Sequence, residues 1–323
     1  MLAGRLRACK SEVMESAEIH PYTKAWFNKQ FIKNWEKNGG PEQTRHFMER
    51  LVAGLGTAET TYLQNHAATV LDWGCAMGEG VEFLGRTFPK CDVAGLDVAR
   101  VAIEAARRRF PSRRFCLSER GEIASRFDVI VTSNCLEHFP DPWAHFKAHL
   151  AACNDFYVAL VPYREFPRID GHMVSFCEGS FPECAGGFVR ISERVLATDV
   201  RFWHGGQLLV IYGSQSYVTW LSTTNGITPP PFWQSYFNGP PAVREALDRM
   251  AERGAKAESQ RGEALSERSH FKSRLEHLNE RERAITYLQG ELKNRDETIA
   301  RQSGLLAALE TELAQSSRTA PKS

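Results

Sequence analysis

From Ala67 onward, five short apolar runs, AATVLDW, CDVAGLDV, RRFCLS, FDVIVTS and FYVALVP, alternate with helical stretches such as VAIEAARRRF and PWAHFKAHLAAC. A chain can return to a parallel neighbouring strand only through a crossover, and a helix of about a dozen residues supplies one. The alternation therefore predicts an α/β fold with a doubly wound, mostly parallel sheet covered on both faces. A late strand over Gly205–Tyr212 is expected to run antiparallel, after a loop-rich insert from about Tyr163 to Val200. Ahead of the sheet, Ala17 to Gln64 carries helical spacing, with Phe47, Leu51 and Leu55 recurring after the break Gly39-Gly40-Pro41, and is read as a helical preface.

The pattern changes after Pro229-Pro230-Pro231 and Gly239-Pro240-Pro241, where a helix cannot run on unbroken. Val243, Met250, Ala257, Ala264, Phe271, Leu278, Ile285, Leu292, Ile299, Leu306 and Leu313 then recur every seven residues. That is the spacing of a coiled-coil seam. The second seam is uneven, with Leu288 and Leu309 but also Arg281, Arg295 and Gln302, so a single solvated helix is the competing reading. The expected division is a helical segment 1–64, a main domain 65–228, a Pro-rich linker 229–241, a coiled coil 242–315 and a disordered tail 316–323.

Bulk properties leave several function classes without support. Of 323 residues, 40 are Lys or Arg and 39 are Asp or Glu, so no bulk basicity points to nucleic acid or anionic lipid. No apolar run reaches the length of a transmembrane helix, and the opening MLAGRLRACKSEVMES lacks a signal-peptide core. A cytoplasmic location follows as the expectation, with attachment to the inner membrane only through a partner. The eight cysteines form no Cys-x-x-Cys pair and are read as reduced packing residues.

Chemistry concentrates at VLDWGCAMGEG, Val70 to Gly80, where a strand ends in an acid and enters a turn built on Gly74 and Gly78. Glycine suits a turn that a nucleotide-like ligand must approach closely. The dinucleotide fingerprint fits poorly, because its later glycine positions fall on Ala76 and Glu79, and Glu79 would place charge beside a pyrophosphate. A ligand without phosphates is preferred. The next strand ends in Asp97, some twenty residues on, where a carboxylate can accept from both hydroxyls of a ribose. Its competing role is to cap the following helix.

This stretch resembles the first motif of class I S-adenosylmethionine-dependent methyltransferases, with Ala76 in a usual glycine position. The segment FDVIVTSNCLEHFPDP, with Asp128, Leu136, Glu137, His138 and Pro140, resembles a later block of the same family, and the likeness covers about Ala67 to Leu160. The resemblance implies S-adenosylmethionine as cofactor. It implies contacts from Asp72, Gly74, Cys75, Ala76 and Gly78 to the amino acid portion, from Asp97 and Val98 to the ribose side, from Ser118 to the adenine amino group, and from Asn134 and Cys135 along the border.

Methyl transfer from a sulfonium needs mainly in-line approach in a dry site, plus a base if the acceptor is an aliphatic hydroxyl. His172, in RIDGHMVSF within the insert, is the preferred base and His138 the second candidate; either could instead order its own loop or helix start. His138, His145 and His149 lack an acid at ligand spacing, so no metal is expected. Tyr163, Arg164, Arg168 and Trp203 supply polar and aromatic groups to the same edge. A methyltransferase followed by a long coiled coil resembles enzymes that modify polysaccharide chains. O-methylation of a sugar or glycan-lipid intermediate in surface polysaccharide assembly is therefore expected, with the coiled coil serving self-association or a glycosyltransferase partner. A quinone-like or secondary-metabolite hydroxyl is the alternative acceptor, and a non-catalytic scaffold with a vestigial domain the alternative class.

Overall fold

The computed structural model describes residues 27–29, 31, 35–118 and 120–319, with side chains undescribed at 298, 299, 301, 302 and 305–319. The part of the helical preface before residue 27 lies outside the described residues. So do the side chains of Ile299, Leu306, Leu309, Leu313 and Gln302.

After helical residues at 27–29 and 31, α1 (Gly40–Ala53) and α2 (Thr57–Asn65) precede the sheet among the described residues. Then β1 (Thr69–Trp73), α3 (Glu79–Thr87), β2 (Asp92–Asp97), α4 (Arg100–Arg109), β3 (Arg114–Leu117), β4 (Phe127–Ser133), α5 (Pro142–Ala152) and β5 (Cys153–Tyr163) alternate as the apolar runs predict. The sheet continues through β6 (Cys184–Ala185), β7 (Phe188–Leu196) and β8 (Gly206–Ser214), and α6 (Gln215–Asn225), α7 (Pro231–Asn238) and α8 (Pro241–Thr319) follow. Strand order is β3-β2-β1-β4-β5-β8-β7-β6. The first five strands pair in parallel, and β8 joins β5 antiparallel, as expected of the late strand.

Burial explains the strand texture. Four of the five residues of β1 are buried, because helices cover both faces and alternation gives way to a continuous apolar run. One face packs Leu51, Val70, Val93, Val129 and Val158. The other packs Leu71, Ile130, Phe146, Tyr157 and Val210. Helix α4 turns Ala102, Ile103 and Ala106 inward and ends on Arg107, Arg108 and Arg109, which suit the negative pole of its dipole. Helix α5 begins on Pro142, with the Asp141 carboxylate accepting from the Ala144 amide.

Three expectations change. The insert from Tyr163 to Val200 contains β6 and β7, which extend the sheet edge. The stretch 229–241 includes α7, whose Tyr236 and Phe237 are buried, because prolines at its start leave the helix interior free. The helix α8 reaches Thr319, so the first residues of the expected tail are helical.

The chain divides into two compact units, Met1–Ser266 and Glu267–Ser323. In the first, α8 packs through small residues. Ala255 and Ser259 are buried, Ser259 Oγ donates to the Ser175 carbonyl, and a Cβ on Gly262 would lie 2.2 Å from Cys177 Sγ. Val243 and Met250, of the seven-residue repeat, are at least half exposed on the same helix. In the second unit Phe271, Leu278, Ile285 and Leu292 are likewise at least half exposed. No helix among the described residues is long and apolar enough to cross a membrane.

Candidate active site

Strand order reverses between β1 and β4, so the loops leaving their carboxyl ends diverge and open a crevice. A cavity of about 420 Å³ occupies it, within the range of small-molecule sites. Asp72, at the end of β1, and Asp97, at the end of β2, both line it, and they are 2% and 7% exposed. Burial pushes Asp72 up to about 7, with the neighbouring Asp97 charge adding to the effect. Burial also raises Asp97, to about 6, against the pull of the Ala99, Ala76 and Val98 amides. Neither acid is offset by a cationic side chain among the described residues. Such a pair suits a ligand that brings positive charge and hydroxyl donors with it.

The turn after β1 folds back on the end of β2, as the Gly74 and Cys75 amides both donate to the Leu96 carbonyl. Gly74 and Gly78 take φ of 80° and 92°. Protein fills the space their side chains would need: a Cβ on Gly74 would lie 2.1 Å from Cys135 Sγ, and one on Gly78 2.7 Å from Phe115 Cζ. Handedness and packing are enough to demand these glycines. Ala76 has φ of 48° and its amide donates to Asp97 Oδ2 at 2.9 Å. Asp97 Oδ1 accepts from the Ala99 amide at 2.8 Å, so the same side chain braces the turn and the start of α4. Glu79, the first residue of α3, pairs with Arg109 at 2.6 Å outside the cavity lining.

Leaving β4, Asn134 takes φ of 51° and leads into a short 3-10 turn, Leu136–His138. Glu137 is fully buried, lines the cavity, and neither carboxylate oxygen has a hydrogen-bond partner among the described residues. Burial holds its carboxyl up at about 7, against the opposing charge of His172. His138 Nδ1 donates to the Gly171 carbonyl at 2.6 Å, and burial lowers its basicity to about 4. His172 Nδ1 meets Glu165 Oε2 at 2.6 Å. Burial alone would lower its pKa, but Glu165, together with the charge of Glu137, holds it above the usual value. The two imidazoles lie edge to face at 4.8 Å.

Asp72, Gly74, Ala76, Asp97, Val98, Asn134, Cys135, His138 and His172 thus line one cavity. Cys75 and Gly78 do not: Cys75 is buried against Gly95, and Gly78 faces Phe115. Ser118 is also outside the lining, its amide donating to the Asp97 carbonyl. Of the edge residues, Trp203 lines the cavity, whereas Tyr163 and Arg164 bond to Glu178 and Arg168 pairs with Glu263 of α8. Sequence reasoning missed Phe27, Phe31, Trp35 and Met48, which cover the cavity from the preface. The four-residue spacing of Phe27, Phe31 and Trp35 reads equally well as ordinary core. It also gave Glu137 no role and passed over Glu165, although both flank the histidines in the sequence.

A methyltransferase domain model matches residues 71–155. Trans-aconitate 2-methyltransferase of Deinococcus radiodurans is 28% identical over 115 residues, covering 33% of this chain and 45% of the relative. The enzyme of the same name from Variovorax paradoxus is 36% identical over 78 residues, covering 23% of this chain and 30% of the relative. The chain therefore spans less than half the length of either. Among solved structures, magnesium protoporphyrin IX methyltransferase from Synechocystis PCC 6803 with bound SAH is similar at a TM-score of 0.47 and 14% identity, covering 59% of this chain and 98% of that one. Over residues 71–155 the chain carries a match to the methyltransferase domain.

Proposed function

We propose that the whole chain is an S-adenosylmethionine-dependent O-methyltransferase acting on a neutral, ring-bearing hydroxyl acceptor of the sugar or glycan-lipid type. The observation that carries this is the pair of buried, cation-free carboxylates Asp72 and Asp97 in a cavity that runs on to the Glu137, His138 and His172 corner. The residues fit the donor. Asp72 and the Gly74 turn would take its cationic amino acid portion, Asp97 its ribose diol, and Ala76, Leu96 and Val98 offer apolar surface for the base.

Bound there, the cofactor supplies an electrophilic methyl on a good leaving group. The chain supplies alignment and dryness. Phe27, Phe31, Trp35, Phe47, Phe139 and Trp203 line the cavity with aromatic surface. No Lys or Arg is among the described lining residues, while Asp72, Asp97, Glu137 and Asp170 are, so an anionic acceptor would meet like charge. The names of the relatives favour a carboxylate acceptor as the second reading.

The exposed seven-residue repeat of α8 supports association as a coiled coil, with another copy or a glycosyltransferase, in a cytoplasmic protein concerned with surface polysaccharide. Calorimetry of full-length protein with S-adenosylmethionine and S-adenosylhomocysteine, followed by a mass-shift screen, tests the reading. Micromolar binding with a gain of one methyl on a glycan acceptor is the expected result. Methylation of tricarboxylates alone would establish the second reading, and no binding of either cofactor form would overturn both.

A further inference from the structure

The Glu137 corner has a feature that proton transfer leaves unused. Glu137 is fully buried with both oxygens unpartnered among the described residues, and it faces the cavity beside two imidazoles. A buried carboxylate without hydrogen-bond donors is costly, and a cation is one of the few guests able to offset it. His172 Nε2 is 4.0 Å from Glu137 Oε1, too far for a hydrogen bond. One donor atom from each of Glu137, His138 and His172 lies within 4.8 Å of the others.

The imidazoles are held as metal ligands usually are. A carbonyl can only accept, so the bond to Gly171 puts the His138 proton on Nδ1 and leaves the lone pair on Nε2. Glu165 does the same for His172 through Nδ1. An outer carboxylate or carbonyl behind each ligating histidine is the usual arrangement around bound metals. The loop that carries these groups is itself fixed. The Met173 amide donates to the Glu137 carbonyl at 2.7 Å, and the Ile169 amide donates to Glu165 Oε1 at 3.0 Å. Donor atoms around a cation with bonds of about 2.1 Å sit about 3 to 3.4 Å apart, so the widest separation must contract by about 1.5 Å to close the site.

We propose that Glu137, His138 and His172 form a binding site for one divalent transition-metal cation of the zinc, cobalt or manganese kind, at the acceptor end of the cavity. Two nitrogens and one carboxylate leave coordination positions open towards the cavity, and a hydroxyl oxygen of the acceptor fills one of them. The acceptor role rests on the methyl-transfer reading above; the cation site does not. Coordination makes the hydroxyl more acidic, so its proton is released to solvent and the oxygen lone pair attacks the methyl carbon. The carbon–sulfur bond then breaks, and its electron pair stays on sulfur. The products are a methyl ether, S-adenosylhomocysteine and one proton. His172 serves as a ligand in this step, because the Nε2 lone pair cannot also take the proton.

The test is a titration of chelator-treated full-length protein with Co²⁺, read by its visible absorption, and with Zn²⁺ by calorimetry, both without cofactor. One equivalent is expected to bind, and Glu137→Gln and His172→Ala to weaken it by about tenfold or more. Glu165→Gln, which keeps the ligands but removes the outer carboxylate, is expected to weaken it about 10- to 100-fold. S-adenosylhomocysteine affinity, measured in parallel, should stay within a factor of about two in the three variants, which shows that they remain folded. No stoichiometric cation binding to the unaltered protein overturns the proposal, as does binding that the three substitutions leave unchanged. Cation binding without S-adenosylhomocysteine binding would leave the site standing and overturn the methyl-transfer reading instead.

Discussion

The Asp97 carboxylate holds the Ala76 amide at 2.9 Å, and Ala76 sits at φ of 48°, a conformation that an L-residue adopts only when held. One side chain therefore shapes the glycine turn and offers the ribose site. Asp97→Ala removes both, and donor affinity is expected to fall by about 1 to 3 kcal/mol, measured by titration calorimetry. An unchanged affinity would take Asp97 out of the site.

Ala76→Gly separates the two roles. The left-handed conformation costs an L-residue about 1 to 2 kcal/mol, and the extra freedom of glycine in the unfolded chain takes back about 0.5 to 1. A net gain of about 0.5 to 1 kcal/mol is expected in the melting of the cofactor-free protein, while donor affinity falls by no more than about 0.8 kcal/mol, the worth of one buried methyl. A loss of stability would mean that the Ala76 methyl contributes packing beyond what its contacts suggest.

Asp72 and Asp97 give the cofactor-free protein an unusual response to pH. Their folded pKa values, about 7 and about 6, lie above those of unfolded aspartates, so the folded state binds more protons between about pH 4 and 7. Their contribution is intact below the unfolded pKa and is lost as pH rises through the folded one. Stability from these two groups therefore falls from about pH 4 towards 7, the reverse of the common carboxylate case. A cationic donor favours the ionised forms, so binding should release protons and tighten as pH rises from about 5.5 to 7.5. Calorimetry in two buffers of different ionisation enthalpy measures that release; a release of zero would show that the acids do not face the ligand's charge.

Gly74 and Cys135 come from opposite sides of the crevice and meet there. Gly74→Ala should destabilise by about 2 to 4 kcal/mol through clash and strained φ. With the sulfur removed, the Cys135 Cβ stands 3.2 Å from where the alanine methyl would sit, so Cys135→Ala should recover about 1 kcal/mol or more in a double-mutant cycle. Strict additivity in urea melts would show that the two residues are not in contact.

The two ends of α8 should behave differently on truncation. Ending the chain after Ser266 removes the separate helical unit, and melting temperature and donor affinity should hold while self-association is lost. Ending it before Val243 also removes Ala255, Ser259 and Gly262 from the domain surface, and melting temperature should drop by several degrees. Sedimentation and thermal melts of the two truncations decide this.

The parallel sheet was legible because strands buried on both faces must be apolar throughout, as in VLDW and FYVALVP, and the crossover helices keep their own period. The strand pair β6 and β7 was not, because FVRISERVL is only half-buried over most of its length and is rich in charge. The position of Asp72, Asp97 and the Gly74 turn at the carboxyl ends of β1 and β2 could be read, since it follows from the strand pattern alone. Glu137 could not, because its significance lies in what fails to surround it, and only the folded chain shows that. The docking stripe of α8 was likewise hidden: Ala, Ser and Gly leave no hydrophobic signal, while the exposed Val243 and Met250 gave a strong one.

The Glu137 carboxylate, unpartnered among the described residues, also makes the protein a sensor of its own ligands. Any guest that brings positive charge or a hydrogen-bond donor to that point removes a burden the fold now carries, and should raise the melting temperature in proportion to its fit. A thermal-shift screen of cations and hydroxyl compounds can therefore rank acceptors before any turnover has been seen.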